Sequence, residues 1–375
     1  MTILYFFTFL GKSSAFYDPR EVENNKFGVH VLFDYEVEQA SKLVNSNNGE
    51  WGWLVVPIQS TDRDLIKWQK FMDECKKHRI IPILRIATFA KEDYWTKGHW
   101  YEEVDFANFL DSLNWPIENR YVIIYNEPNR ANEWGGYLAP EDYARVLSTS
   151  YDVFKRVNEN FFILPAGFDA AAPNNGELMD MYDYLKKMGE AVPDVFEKID
   201  GWTSHSYPNP GFSGSCYDTG RMSIAGYKVE MDFLRRNYEV GDLPVFITET
   251  GWRQDRLDEN ILRNNYNYAF NSVWSDKNVV VAAVFLLNGQ SGFDEFSLLV
   301  DGGQSSSYKA LIGLSKIKGR PVMEIDKGSV AGINKERDEN DGGVVFNSKK
   351  TIEIREKLSD FFKFVMRIFS FFSTS

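Results

Sequence analysis

The sequence predicts an α/β fold, a closed (β/α)8 barrel. From Phe27 onward, short runs rich in Val, Ile, Leu and Phe alternate with longer amphipathic stretches, the pattern of parallel strands covered by helices. Eight such cycles fill about 290 residues, more than an open doubly wound sheet usually carries. No GxGxxG or GxxxxGKS/T turn follows any strand candidate, which argues against a dinucleotide or P-loop enzyme.

In chain order the strands are read at 28–33, 52–57, 80–86, 121–125, 161–166, 201–204, 245–248 and 279–286. Several are nearly continuous apolar runs, as strands buried on both faces require. The helices are plainest at 64–78, 140–157, 177–187, 223–238 and 259–274, where apolar residues recur every three or four positions. Pro140 with Glu141 and Asp142 makes a good helix opening.

Composition narrows the function. The chain has 375 residues, 43% hydrophobic and 26% charged, which is ordinary globular usage. Its 54 acidic against 42 basic residues give a net charge of −12, so a phosphate backbone would be repelled and nucleic acid is not an expected partner. Two cysteines, Cys75 and Cys216, and four histidines, His30, His78, His99 and His205, leave little for a disulfide framework or a zinc cage. Aromatic residues reach 15%, which suits cores and also surfaces that stack sugar faces.

The ends differ from the middle. MTILYFFTFL at the N-terminus is apolar, but about half the length of a membrane span and without a basic lead. With Ser13, Ser14 and Ala15 behind it, it reads as an imperfect export signal or anchor, or as a packing segment, and residues 1–26 are set apart on that ground. Within 351–375, DFFKFVMRIFSFF holds Lys363 and Arg367 four apart among apolar residues, as a helix lying on a bilayer does; a helix packed on the barrel has the same pattern. Residues 321–350, which include NKERDENDGGVVFNS, read as a polar linker between that tail and a barrel at 27–320. An extracytoplasmic location, secreted or anchored, with peripheral membrane association through the tail, is the expectation.

In such barrels chemistry sits at the C-terminal strand ends. Strand four closes as YVIIYNEPN and strand seven as PVFITETGW, so Glu127 and Glu249 point at one cavity. A lone acid there serves equally well as a loop cap or ion-pair partner. Two, each flanked by turn-forming Pro or Gly, signal carboxylate chemistry.

NEP after strand four together with TETGW after strand seven resembles the retaining (β/α)8 glycoside hydrolases of clan A, in layout from residue 27 to 319. The resemblance implies a cofactor-free and metal-free glycosidase, with Glu127 as general acid/base, Glu249 as nucleophile and Asn126 holding the sugar 2-hydroxyl. Hydrolysis with retention needs the two carboxyl groups ~5–5.5 Å apart, inversion a wider gap. The acid must keep its proton near neutral pH, which burial or the second carboxylate favours. The nucleophile must stay ionised, which wants a cation or donors.

Arg85, in IPILRIAT on strand three, is the natural cation beside Glu249, and many clan relatives place an Arg on an early strand for that purpose; a structural ion pair is its other reading. Strand six closes as WTSHSYPNP, with His205 and Tyr207 on one side of the chain. Clan relatives often carry such a pair, the Tyr hydroxyl donating to the nucleophile, and core packing is the alternative for each. Sugar platforms are sought at Trp252, Trp134, Trp95 and Trp100, every one with a core reading beside it. Strand eight departs from the clan: where many relatives place a Trp, VFLLNGQ offers Asn288 and Gln290, as sugar ligands or loop caps. Residues 209–220, rich in Gly and Ser, read as a loop or lid over the cavity.

The expected partner is therefore a β-linked oligo- or polysaccharide of unidentified sugar. A catalytically inactive carbohydrate-binding barrel is the alternative. A metal-dependent hydrolase or an aldolase is disfavoured, since no His/Asp ligand cluster is legible at the strand ends and no Lys lies inside a strand candidate.

Overall fold

The structure, a computed structural model, describes residues 16–324 apart from 92 and 290–292. The apolar N-terminal decapeptide, the 351–375 tail, most of the 321–350 segment and Gln290 lie outside the described residues.

Eight parallel strands run β1 Phe27–His30, β2 Gly52–Gln59, β3 Ile80–Ala87, β4 Arg120–Ile124, β5 Phe161–Pro165, β6 Trp202–Ser204, β7 Val245–Thr250 and β8 Val279–Val284. They are followed in turn by α1 Val37–Val44, α2 Leu65–His78, α3 Trp100–Asp111, α4 Pro140–Val157, α5 Met181–Ala191, α6 Gly226–Tyr238, α7 Glu259–Tyr268 and α8 Ser306–Ile312. The ladder order is β5-β4-β3-β2-β1-β8-β7-β6, so every junction of the (β/α)8 barrel is hydrogen-bonded as a ladder except β5 to β6. That seam is held by Asp200, whose N–H donates to Ile163 O and whose carboxylate accepts from Ile163 N, by Thr203 Oγ1 on Pro165 O, and by a parallel bridge between Asp169 and His205.

Alternation along the strands sorts the core into two layers. Trp53, Val55, Ile81, Ile83, Tyr121, Ile123, Phe162, Leu164 and Phe246 fill the barrel interior, while a larger cluster packs the outer strand faces against the helices. The interior is thus closed below the mouth and leaves only its C-terminal rim for ligands. The opposite end is closed by Phe16, edge-on to Phe162 at 5.1 Å, and by Glu324, which accepts from Arg120 at 2.5 Å and from Trp115 N at 2.8 Å. The packed body therefore takes in the first four residues of the segment read as a linker.

Element boundaries shift where side chains cap the backbone. β1 stops at His30 because the Leu32 and Phe33 N–H groups bond the Glu36 carboxylate instead of a strand. α5 starts later than residue 177 because Asp180 accepts from Tyr182 N and Asp183 N and so caps it. α3, absent from the sequence reading, opens at Trp100, which places that residue on a helix rather than in a loop. Among the described residues, no helix is long and apolar enough to cross a membrane.

Candidate active site

Period two carries Ile81 and Ile83 onto the interior face of β3, and Arg85 follows them to the rim. Beyond β4 the chain turns sharply, with positive φ at Tyr125 (68°) and Glu127 (30°), and Glu127 N donates to Gly167 O, which aims the carboxylate across the mouth. At the end of β7, Thr250 Oγ1 donates to Ser206 O and ties this strand to the β6 loop beside Glu249. Gly167 has to be glycine: a Cβ there would meet the His205 ring at 2.2 Å.

These devices bring Glu127, Glu249, Arg85, His205 and Tyr207 together. A carboxylate oxygen of Glu127, one of Glu249 and a ring nitrogen of His205 all lie within 4.8 Å of one another. His205 Nδ1 is 2.8 Å from Glu127 Oε1 and 3.9 Å from Glu249 Oε2. The Tyr207 hydroxyl donates to Glu249 Oε2 at 3.2 Å, and Arg85 Nη1 stands 3.5 Å from Oε1. Glu127, Glu249, His205 and Tyr207 line a hollow that opens to solvent, with Asp169, Asn209 and Phe212 on its wall.

The strand-end reading looked for a His/Asp ligand cluster; what the structure brings together is Glu127, His205 and Glu249, from segments far apart in the chain. That set also has the donor types for a metal. Arg85 beside Glu249, and Arg130 at 3.6 Å from Glu127 Oε2, set two guanidinium charges against a divalent cation there.

Electrostatics distribute protons unevenly. Burial pushes Glu127 up, but the His205 hydrogen bond and the charges of His205, Arg130 and Arg85 outweigh it and hold the carboxyl below its ordinary value. Burial likewise pushes Glu249 up and prevails over His205, Arg85 and Tyr207. Burial lowers His205, but the two glutamates more than compensate and raise it. Both carboxyl shifts thus run opposite to the expected pattern of a raised acid and a lowered nucleophile, and the group that favours its protonated form beside Glu127 is His205, one hydrogen bond away.

Asn126 is half-buried; its side chain bonds Glu133, and its Oδ1 is buried with no hydrogen-bond partner. Glu133, on a 3-10 turn at Ala131–Glu133, was not singled out from the sequence; burial, then the charge of Glu127, pushes it up to about 7. Arg130 and Asp169 were also missed. They pair at 2.7 Å beside Glu127, but nothing local in their segments marks them.

The aromatic expectations need correction. Trp252 and Trp134 are 1% and 0% exposed: Trp252 donates to Gly214 O, and Trp134 packs edge-on between Tyr125 and Tyr143, so neither offers a face to the hollow. Trp95 is half-buried in a short hairpin with Ala90–Lys91, away from the hollow's wall. Asn288 is half-buried and not on that wall. An aromatic does close β8: Phe285, next after Val284, lies 5.3 Å from the His30 ring. On the mouth side of β1, Phe33 and Tyr35 stack at 5.0 Å and 9°, with Tyr35 70% exposed. Residues 209–220 are tied down at several points, among them Trp252 on Gly214 O and Arg253 N on Phe212 O.

No protein-family model matches the sequence. No curated protein matches it either. Solved structures do share the fold. A GH5_18 protein from Streptomyces cattleya, crystallised with Manβ1-4GlcNAc, aligns over 77% of this chain and 79% of its own with a TM-score of 0.54 and 12% identity. A family 51 α-L-arabinofuranosidase from Bifidobacterium longum aligns over 78% and 73% with a TM-score of 0.52 and 11% identity. A family 39 glycoside hydrolase from Bacteroides cellulosilyticus WH2 gives 0.50 and 17% over 79% of this chain, which spans 64% of that longer protein. At these identities the likeness is one of fold.

Proposed function

We propose that the chain is a glycoside hydrolase that cleaves a β-linked oligo- or polysaccharide with retention of configuration. The observation that carries this reading is the approach of Glu127 and Glu249 to within 4.8 Å across one open hollow. A short gap of this kind supports the retaining reading, in which the second carboxylate attacks the sugar itself, over an inverting one, whose carboxylates stand wider apart.

In the first step Glu249 Oε2 attacks the anomeric carbon while the leaving oxygen takes a proton from Glu127. That proton is the one His205 holds: it passes through Glu127 to the leaving oxygen, which leaves Glu127 ionised and His205 neutral, ready for the second step. In the second step Glu127 takes a proton from water, the water oxygen bonds the anomeric carbon, and the Glu249 carboxylate leaves. Arg85 and Tyr207 steady the negative charge of Glu249. Asn126 is assigned to the sugar 2-hydroxyl; its Oδ1 is buried and unpaired and the residue is off the wall of the hollow, so the role requires its side chain to turn toward the sugar. No cofactor or metal enters this scheme, and secretion with membrane contact through the tail belongs to the same proposal.

The test is a panel of aryl β-glycosides and oligosaccharides, with the anomer of the first product read by NMR. Retained β-product is expected. The β8 mouth without its Trp favours one second reading, a barrel that binds sugar without turning it over, and sugar binding with no hydrolysis of any substrate would establish that instead.

A further inference from the structure

His30 ends β1 with its side chain on the interior face shared with Gly28. It is 1% exposed, and neither ring nitrogen makes a well-formed hydrogen bond among the described residues, the Val31 backbone being only a loose neighbour. A buried polar ring left this way is unfavourable for folding. Its surroundings point to another use. Nε2 lies 3.6 Å from Glu249 Oε1, the oxygen that Arg85 also approaches, while Tyr207 and His205 stand at Oε2. Burial, and after it the charges of Arg85 and His205, keep the imidazole neutral, so it carries a single N–H.

We propose that His30 is a positioning residue for Glu249, turning Nε2–H toward Oε1 so that Oε2 is left to attack. This rests on Glu249 being the nucleophile. When the Oε2–carbon bond forms and the glycosidic carbon–oxygen bond breaks, Oε1 becomes the ester carbonyl oxygen. When water cleaves that ester, the bonding pair returns to the carboxylate, and Arg85 and His30 receive its charge. Hydrogen bonds of this kind are often long in an empty site and tighten in the complex.

The experiment titrates Glu249 directly in full-length protein labelled with ¹³C at the Glu side-chain carboxyl, its resonance assigned by loss in Glu249→Gln. His30→Phe removes the donor and keeps a ring beside Phe285; His30→Gln keeps a neutral donor. Arg85, Glu127, His205 and Tyr207 also face Glu249 and are unchanged in both variants. The midpoint is expected to rise by about one pH unit, tenfold in proton affinity, in His30→Phe and to return most of the way in His30→Gln. On any glycoside the wild type turns over, the acid limb of kcat/KM moves with it. A midpoint unchanged in His30→Phe, with circular dichroism and melting like wild type, overturns the proposal. Should that variant not fold, His30→Ala is the second donorless form and is judged by the same midpoint. The titration needs no turnover, so a wild type inactive on every glycoside would sink the hydrolase reading while the coupling of His30 to Glu249 was still decided.

Discussion

His205 Nδ1 stands 2.8 Å from Glu127 Oε1 and 3.9 Å from Glu249 Oε2, so one imidazole lies between the two carboxylates that face each other across the mouth. Ionisable groups this close influence one another's titration, so the charge on each depends on whether the other two hold a proton.

The alkaline limb of activity follows from that dependence. His205 is raised, so its proton is present below that elevated value and lost as pH climbs through it. kcat/KM should then fall on the alkaline side. His205→Gln cannot store the proton, and its alkaline limb should move to lower pH by about one unit or more. An unmoved limb in a folded variant would show that the histidine is not the proton store.

Removing each carboxylate should leave a different signature. Glu249→Ala should lower turnover by roughly 10⁴ or more, with azide restoring part of it and yielding the α-azide. Glu127→Ala should slow substrates with poor leaving groups by about 10²–10⁴ and activated aryl glycosides far less. Near wild-type hydrolysis of an oligosaccharide by both variants is the result that would end the assignment.

With Trp252 and Trp134 buried, platforms for a longer substrate must come from the rim. Tyr35 stacks on Phe33 and turns its outer face to solvent. Tyr35→Ala should raise KM for long oligosaccharides by about three- to tenfold, with a penalty that shrinks as the substrate shortens. Isothermal titration with the same oligosaccharides and Glu127→Gln as background checks it; a penalty independent of chain length counts against the platform.

Stability should depend on a carboxyl outside the site. Glu103 on α3 is fully buried and accepts from Tyr125 Oη at 2.6 Å; burial pushes it up to about 7 from 4.5. A raised acid binds its proton more tightly when folded, so its contribution is complete below 4.5 and is lost as pH rises through 7. Glu103→Gln does not titrate. Its unfolding free energy relative to wild type should therefore improve by up to about 3 kcal/mol between those values. Parallel curves from urea melts across that range would refute it.

Much of the barrel was legible because strands buried on both faces must be apolar along their length, and all eight runs fall on strands. The two glutamates were legible because NEP and TETGW put polar residues abruptly after such runs. α3 escaped notice because its buried positions include Glu103, which breaks the apolar spacing. His30 is the lone polar side chain of β1, and only the closure of β1 against β8 brings it to Glu249. The tryptophans misled for a related reason: a ring after a strand end serves the sheet–helix layer as readily as the mouth, and its χ angles, invisible in sequence, decide.

The unlaced junction between β5 and β6 carries Asp169 on one side and His205 on the other, both on the wall of the hollow. Every other pair of neighbouring staves would have to break a ladder to part, whereas here the cylinder can gape by stretching a few isolated bonds. The one junction without a ladder and the imidazole between the two carboxylates thus meet in a single residue, His205.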